Sequence, residues 1–249
     1  MPYFLILKTF LHRLAMAEHK CVNLILIETS TALCSVALSQ NGIIKAYRES
    51  TGGKSHASLT TPFVKEVLDE AGLTIHECDG VCVSSGPGSY TGLRVGVSTA
   101  KGLCFGAGIP LFAVSTMDIL SEMGKDENIP IIIPMIDARR MEVYSAVYKL
   151  SQDGNIVQIK PVEPVIVDEN SFSNYLATSQ VLFIGDGVEK CKTVINSPNA
   201  HFHQCAPTAR AMGRLAQRLY DTNKRENVAY FEPFYLKDFI ATVSKKKLF

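Results

Sequence analysis

The stretch Ser84-Ser85-Gly86-Pro87-Gly88-Ser89-Tyr90-Thr91-Gly92-Leu93-Arg94-Val95-Gly96 carries the densest chemical signal in the chain. An apolar run, Asp79-Gly80-Val81-Cys82-Val83, enters it, and a small-residue helical pattern over 91–106 leaves it. Strand, glycine-rich turn and helix start together expose backbone N–H groups at the positive end of a helix dipole, so the segment can receive an anion. No Gly-Lys-Ser/Thr closes the turn, and its glycines are not spaced as in a dinucleotide fingerprint. Gly86-Pro87-Gly88-Ser89 is not a Gly-x-Ser-x-Gly elbow either, which leaves a Ser/His/Asp hydrolase without support. The six histidines are His12, His19, His56, His76, His201 and His203. None forms the His-x-x-x-His pair that a helical metal site requires. His201-Phe202-His203 alternates along a loop or strand and reads as surface histidine.

The elements that must hold these residues come in two rounds. An apolar strand is expected over 23–28 and another over 33–39, separated by the hydroxyl-rich turn Thr29-Ser30-Thr31. Gln40-Asn41-Gly42 supplies hairpin chemistry, and 43–49 returns as a third strand. Gly52-Gly53 marks a loop. Ser55 can cap a helix running to Ala71, with Leu59, Phe63, Val67 and Leu68 on one side and Gly72 as its stop. The glycine-rich strand-turn-helix unit follows.

The second round has strands at 131–136, 141–150 and 155–160, with turns at Asp137-Ala138-Arg139-Arg140 and Ser151-Gln152-Asp153-Gly154. A helix over 169–178, a strand over 181–184, the Gly185-Asp186-Gly187 turn and another helix complete it. A helix over 207–220 and an extended tail around 233–239 end the chain. This α/β order, βββαβα occurring twice, is that of the two-lobed actin-like ATPase fold with its ribonuclease H-like duplication. It divides the chain into a first lobe, 21–115, and a second, 116–249, whose C-terminal segment can return to the first. The 28–32 turn would then face the 137–140 turn across a cleft.

Bulk properties narrow the function classes. With 249 residues, 47% hydrophobic and 20% charged, the chain can bury a substantial core. A net charge of +1 argues against a self-sufficient nucleic-acid binder, since the one dense basic run, Lys245-Lys246-Lys247, lies in the tail. Seven cysteines without a CxxC pair fit a reduced cytosolic setting. Residues 1–20 read as an extension outside the fold, because Lys8, His12 and Arg13 interrupt their apolar part. No segment is expected to span a membrane.

Gly92, Gly96 and Ala100 recur every four residues as a flat stripe, and Gly102 and Gly106 offer a second close approach. A glycine inside a helix costs about 1 kcal/mol relative to alanine, so packing must compensate. On spacing alone, that packing can be against another helix or against the lobe's own sheet.

Several of these motifs together resemble one family. Ile25-Leu26-Ile27-Glu28-Thr29-Ser30, the 86–96 turn, Asp137-Ala138-Arg139-Arg140-Met141-Glu142-Val143-Tyr144, Gly185-Asp186-Gly187 and Pro233-Phe234-Tyr235-Leu236-Lys237 are similar to those of TsaB, also called YeaZ. The likeness runs over about 23–242. It implies an actin-like fold and a part in making threonylcarbamoyladenosine in tRNA. TsaB is the noncatalytic partner of the related transferase TsaD, and the ATPase TsaE binds the same assembly. The resemblance therefore implies a scaffold or activator that pairs with TsaD, or with itself as a homodimer, through first-lobe helices. Leu59, Phe63, Val67, Gly92, Gly96, Ala100 and Leu103 are the expected contacts, and tRNA is met through the complex.

Actin-like ATPases grip phosphates with glycine-bearing hairpin turns. Here the turns carry Thr29-Ser30-Thr31 and Arg139-Arg140 instead, so an intact ATPase is not expected. A vestigial nucleotide or anion cleft would comprise Glu28, Thr29, Ser30, Gly88, Ser89, Asp137 and Arg139. No catalytic residue, metal ligand or cofactor of its own is assigned. ATP or ADP with magnesium is allowed at the complex with TsaD. Arg139 and Glu142 could form a lobe-bridging ion pair, or Arg139 could meet an anion. Glu28 stands where the family usually has Asp, Ala57 where Ser is common, and Lys237 where Arg is usual. The alternatives are an independent actin-fold ATPase or kinase, a glycoprotease-like peptidase, and a homodimeric binding module without tRNA involvement.

Overall fold

The computed structural model describes residues 21–51 and 56–237. Expectations for residues 1–20, Gly52, Gly53, Ser55 and the Lys245–Lys247 run lie outside the described residues. In the first lobe β1 (Asn23–Glu28), β2 (Cys34–Gln40) and β3 (Ile43–Ser50) form an antiparallel meander. Its tight turn uses Asn41 and Gly42, both at positive φ (52° and 77°), which is why an Asn-Gly pair stands there. Then follow α1 (His56–Ala71), β4 (Gly80–Gly86), α2 (Tyr90–Ala107) and β5 (Leu111–Ser115). The sheet order is β3-β2-β1-β4-β5, with β4 parallel to β1 and β5 parallel to β4.

The second lobe repeats this plan with β6 (Ile131–Asp137), β7 (Glu142–Leu150), β8 (Ile156–Ile166), α4 (Ser173–Leu176), β9 (Val181–Gly185), α5 (Val188–Lys192) and β10 (Ala200–Gln204). Its order, β10-β9-β6-β7-β8, is the same arrangement read from the other edge. The chain thus has the duplicated two-lobe α/β architecture, and each lobe carries a fifth strand beyond the expected six elements. That strand is easily missed in the first lobe, because β5 runs into helix α3 (Thr116–Gly124) with only its own last residue, Ser115, as cap.

Helix α3 joins the lobes. Ile119 packs with Leu24, Leu26 and Phe112 of the first lobe, while Met117 and Leu120 pack with Ile132, Ile136 and Ile184 of the second. On its other face the first sheet is covered by α1 and α2, with Ile25, Ile27, Val64, Val67 and Val97 in the shared core. The helix expected over 169–178 shortens to α4, since Phe172 takes a left-handed φ of 63° immediately before it. The helix expected from 207 begins as a 3-10 turn, Ala209–Met212, and becomes α6 (Gly213–Asp221). That segment packs on the first sheet through Ala209, Met212 and Ala216, and Glu226 and Phe234 hydrogen-bond to the first lobe. Among the described residues, no helix is long and apolar enough to cross a membrane.

Candidate functional site

The first hairpin turn is packed shut. Glu28 ends β1 fully buried, and the Ser30 N–H donates to its Oε1 at 2.5 Å. The Thr29 hydroxyl donates to the Gly92 carbonyl at 2.8 Å, and the Ser89 N–H donates to the Ser30 carbonyl at 2.6 Å. Helix α2 can sit this close only because its facing residues lack side chains. A Cβ on Gly88 would lie 2.3 Å from Ser30 O, one on Gly92 2.0 Å from Thr29 O, and one on Gly96 2.3 Å from Thr29 Oγ1. The turn therefore lies against the helix start, and two of the donors there already have protein partners. Ser89 N–H is spent on Ser30, and Gly92 N–H on the Ser89 hydroxyl at 3.3 Å.

Burial raises the Glu28 pKa from 4.5 to about 7; the Ser30 N–H opposes the rise and Asp186 across the lobe seam adds to it. Its Oε2, like the Ser30 and Ser84 hydroxyls, has no hydrogen-bond partner among the described residues. The carboxyl is thus enclosed in protein rather than poised at an open cleft.

The second hairpin is built differently. Asp137 ends β6 half-exposed, and its N–H donates to Asp186 Oδ1 at 2.9 Å. Its own Oδ1 accepts from the Arg139 N–H at 2.8 Å and from the Lys190 ammonium. Partial burial works against ionisation of Asp137, but Lys190 and the Arg139 amide outweigh it and hold the pKa below the usual range. Asp186, by contrast, is pushed up by burial. Arg139 and Arg140 both adopt left-handed backbone, with φ of 71° and 50°. This is strained for residues bearing a Cβ, at a tight turn where glycine is the easier occupant. The expected Arg139–Glu142 pair does not form. Glu142 instead accepts from Lys237 on both carboxylate oxygens, at 2.5 and 2.6 Å, and the Arg139 side chain is exposed.

The Gly185-Asp186-Gly187 motif is a turn, as expected, and it brings Asp186 beside Asp137, as α5 brings Lys190; neither side chain is among the expected site residues. The signal was the glycine spacing. A Cβ on Gly185 would meet Met135 O at 2.2 Å and one on Gly187 would meet Asp137 N at 3.2 Å, so the turn presses Asp186 against β6.

Helices α1 and α2 lie side by side over the first sheet. Of the expected partner contacts, Val67, Gly92, Gly96 and Ala100 are buried in the lobe, and the glycine stripe faces inward. Leu59, Phe63 and Leu103 are half-buried, the last two packed against the core. The outward face of α2 carries Arg94, Ser98, Gly102, Phe105 and Gly106 instead. Phe105 is 86% exposed, and a Cβ on Gly102 or Gly106 would meet nothing within 4 Å. Beside them runs an open groove of about 700 Å³, lined by Lys101, Gly102, Phe105, Asn227, Val228 and Ala229.

The tRNA threonylcarbamoyladenosine biosynthesis protein TsaB of Haemophilus influenzae is 30% identical over 237 residues, covering 91% of this chain and 97% of that one. The chain belongs to the TsaB family. TsaB of Escherichia coli is 28% identical over 225 residues, covering 88% and 96% of the two chains. The solved structure of YeaZ from Pseudomonas aeruginosa superposes with a TM-score of 0.75 at 27% identity, over 86% of this chain and all of that one. A family model described as TsaD, tRNA N6-adenosine threonylcarbamoyltransferase, matches residues 33–245. The TsaB family is named for the biosynthesis of threonylcarbamoyladenosine in tRNA.

Among the described residues, no three His, Cys, Asp or Glu side chains group to hold a metal ion. His201 is matched to Gln180 and His203 to Glu127 at 3.1 Å, both near the surface edge strand β10. All seven cysteines are free thiols. Burial pushes Cys78 up to about 12 and Cys104 to about 11, so neither is a ready thiolate.

Proposed function

We propose that this TsaB-family chain is a noncatalytic scaffold and activator that binds TsaD through the outward face of its first-lobe helices. The observation that carries the reading is Phe105, 86% exposed on α2 between two glycines that leave open space beside it. A large exposed aromatic flanked by flat helix surface favours close approach of another helix. Half-buried Leu59, Phe63 and Leu103 would border the contact. On this reading the buried stripe Gly92-Gly96-Ala100, with Val67, supports the interface from beneath by fixing α2 to its own lobe. TsaD would be activated because this chain binds one of its conformations more tightly than the other.

The filled first turn supports the noncatalytic role. ATP or ADP with magnesium would be held at the joint surface with TsaD, not by Glu28, Asp137 and their neighbours alone. TsaE would join the same assembly, the homodimer would form in TsaD's absence, and tRNA would be reached through the complex. The unpaired cysteines support a reduced, cytoplasmic setting.

The test is reconstitution of tRNA modification from purified TsaD, TsaE, the threonylcarbamoyl-adenylate supply and tRNA. Adding this chain is expected to raise threonylcarbamoyladenosine formation at least tenfold, and the Phe105→Asp variant is expected not to. An equal rate without the chain would remove the activator role.

A further inference from the structure

Residues 226–237 run as a strap with a series of anchors on the first lobe and one on the second. The Glu226 N–H donates to the Leu111 carbonyl at 2.8 Å, at the open edge of β5. Lys101 of α2 then donates to the Ala229 and Phe231 carbonyls at 3.1 and 3.0 Å. The Phe234 N–H donates to the Ser85 carbonyl at 2.7 Å, at the end of β4. Tyr235 stacks on Tyr90 at 4.1 Å, Arg94 lies 4.3 Å over the Tyr90 ring, and the Arg94 Nε–H donates to the Tyr235 hydroxyl at 3.3 Å. Each of these contacts is with the first lobe.

Lys237 leaves it. Its ammonium reaches both Glu142 carboxylate oxygens at 2.5 and 2.6 Å, and Glu142 starts β7 of the second lobe. The carbonyl of Glu142 also accepts from Lys190 at 2.5 Å, which fixes that end of the hairpin within its own lobe.

We propose that the strap is an interlobe clasp: anchored along α2 and β4, it closes through Lys237 on Glu142 and sets how firmly the 137–142 hairpin is drawn toward the first lobe. The anchors suit this division of labour. The strap's first-lobe contacts are several and include stacked rings. The closing contact is one half-exposed ion pair, with side-chain exposures of 47% and 21%. Such a pair shifts an equilibrium by about two- to fivefold, enough to bias lobe closure and weak enough to release. A lysine here keeps the charge yet lacks the rigid fork of arginine, so the clasp can swivel while closed.

Hydrogen exchange on the whole chain tests the clasp without any partner, so its outcome is separate from the assembly reading. Lys237→Glu and Glu142→Lys are each expected to speed exchange about two- to fivefold in peptides covering 137–142 and 233–237. Amides of β1 and α2 should not change, and the double exchange of charges should restore wild-type rates. Unchanged exchange in both single variants, or the same acceleration persisting in the double variant, would overturn the proposal. Should either reversal loosen the whole fold, seen as faster exchange in β1 and β6, Lys237→Gln carries the same test with the same expectation.

Discussion

The two faces of α2 use the same residue type for opposite ends. Gly92 and Gly96 face inward, where any side chain would run into Thr29 within 2.3 Å, whereas Gly102 and Gly106 face solvent with nothing within 4 Å. Inward glycines are a demand of this chain's own packing: they seat the helix on the first hairpin turn. The outward pair answers to no contact inside the lobe. On the proposed function, close approach of a partner belongs to the second set, and the first set holds α2 on its own lobe.

The contrast is broken most severely by adding bulk to the inward face. Gly96→Val is expected to destabilise the first lobe by about 3 kcal/mol or more, because Thr29 belongs to a buried turn and cannot move aside cheaply. Denaturant melts would show it, and Gly102→Val should remain within about 1 kcal/mol of wild type in the same experiment.

Next in size is the consequence of sealing Glu28. Below about pH 4.5 folded and unfolded chains both hold its proton; between there and about 7 only the folded chain keeps it, so stability falls as pH rises and levels off above 7. The full loss is about 3 kcal/mol. Glu28→Gln should remove that slope and stabilise the protein at pH 8, as read from melts between pH 4 and 8. An unaltered slope would mean that Glu28 is hydrated and the turn open.

The smallest effect sharpens the outward face. Gly102→Ala should stabilise the free protein by about 1 kcal/mol, since an exposed helical glycine loses backbone entropy on folding without gaining a contact.

Much of this was legible in the sequence. The meander strands, the Asn41-Gly42 turn and the repeated element order follow from short apolar runs bounded by turn residues, and they lead to the two-lobed reading. The absence of glycine from Arg139-Arg140 pointed to a hairpin unlike a phosphate loop, and the structure adds that both residues accept left-handed backbone. What stayed hidden were directions and distant partners. A glycine stripe has the same spacing whichever way it faces, so only the Thr29 contacts decide it. Phe105 lies in a small-residue helical pattern that does not mark which side it faces, and only the structure shows it exposed. Glu142 has Arg139 three residues away, yet its partner is Lys237, ninety-five residues on, and no local pattern encodes that pairing. Asp186 meets Asp137 for a similar reason, through a turn pressed against another strand.

On the proposed function, TsaD docks on the outward face of α2 and not at the sealed turn. Calorimetric titration of TsaD with wild-type chain, Phe105→Asp and Glu28→Gln separates these sites directly. Phe105→Asp is expected to weaken binding at least tenfold while Glu28→Gln binds as wild type does. Full affinity in Phe105→Asp, with loss in Glu28→Gln, would contradict it.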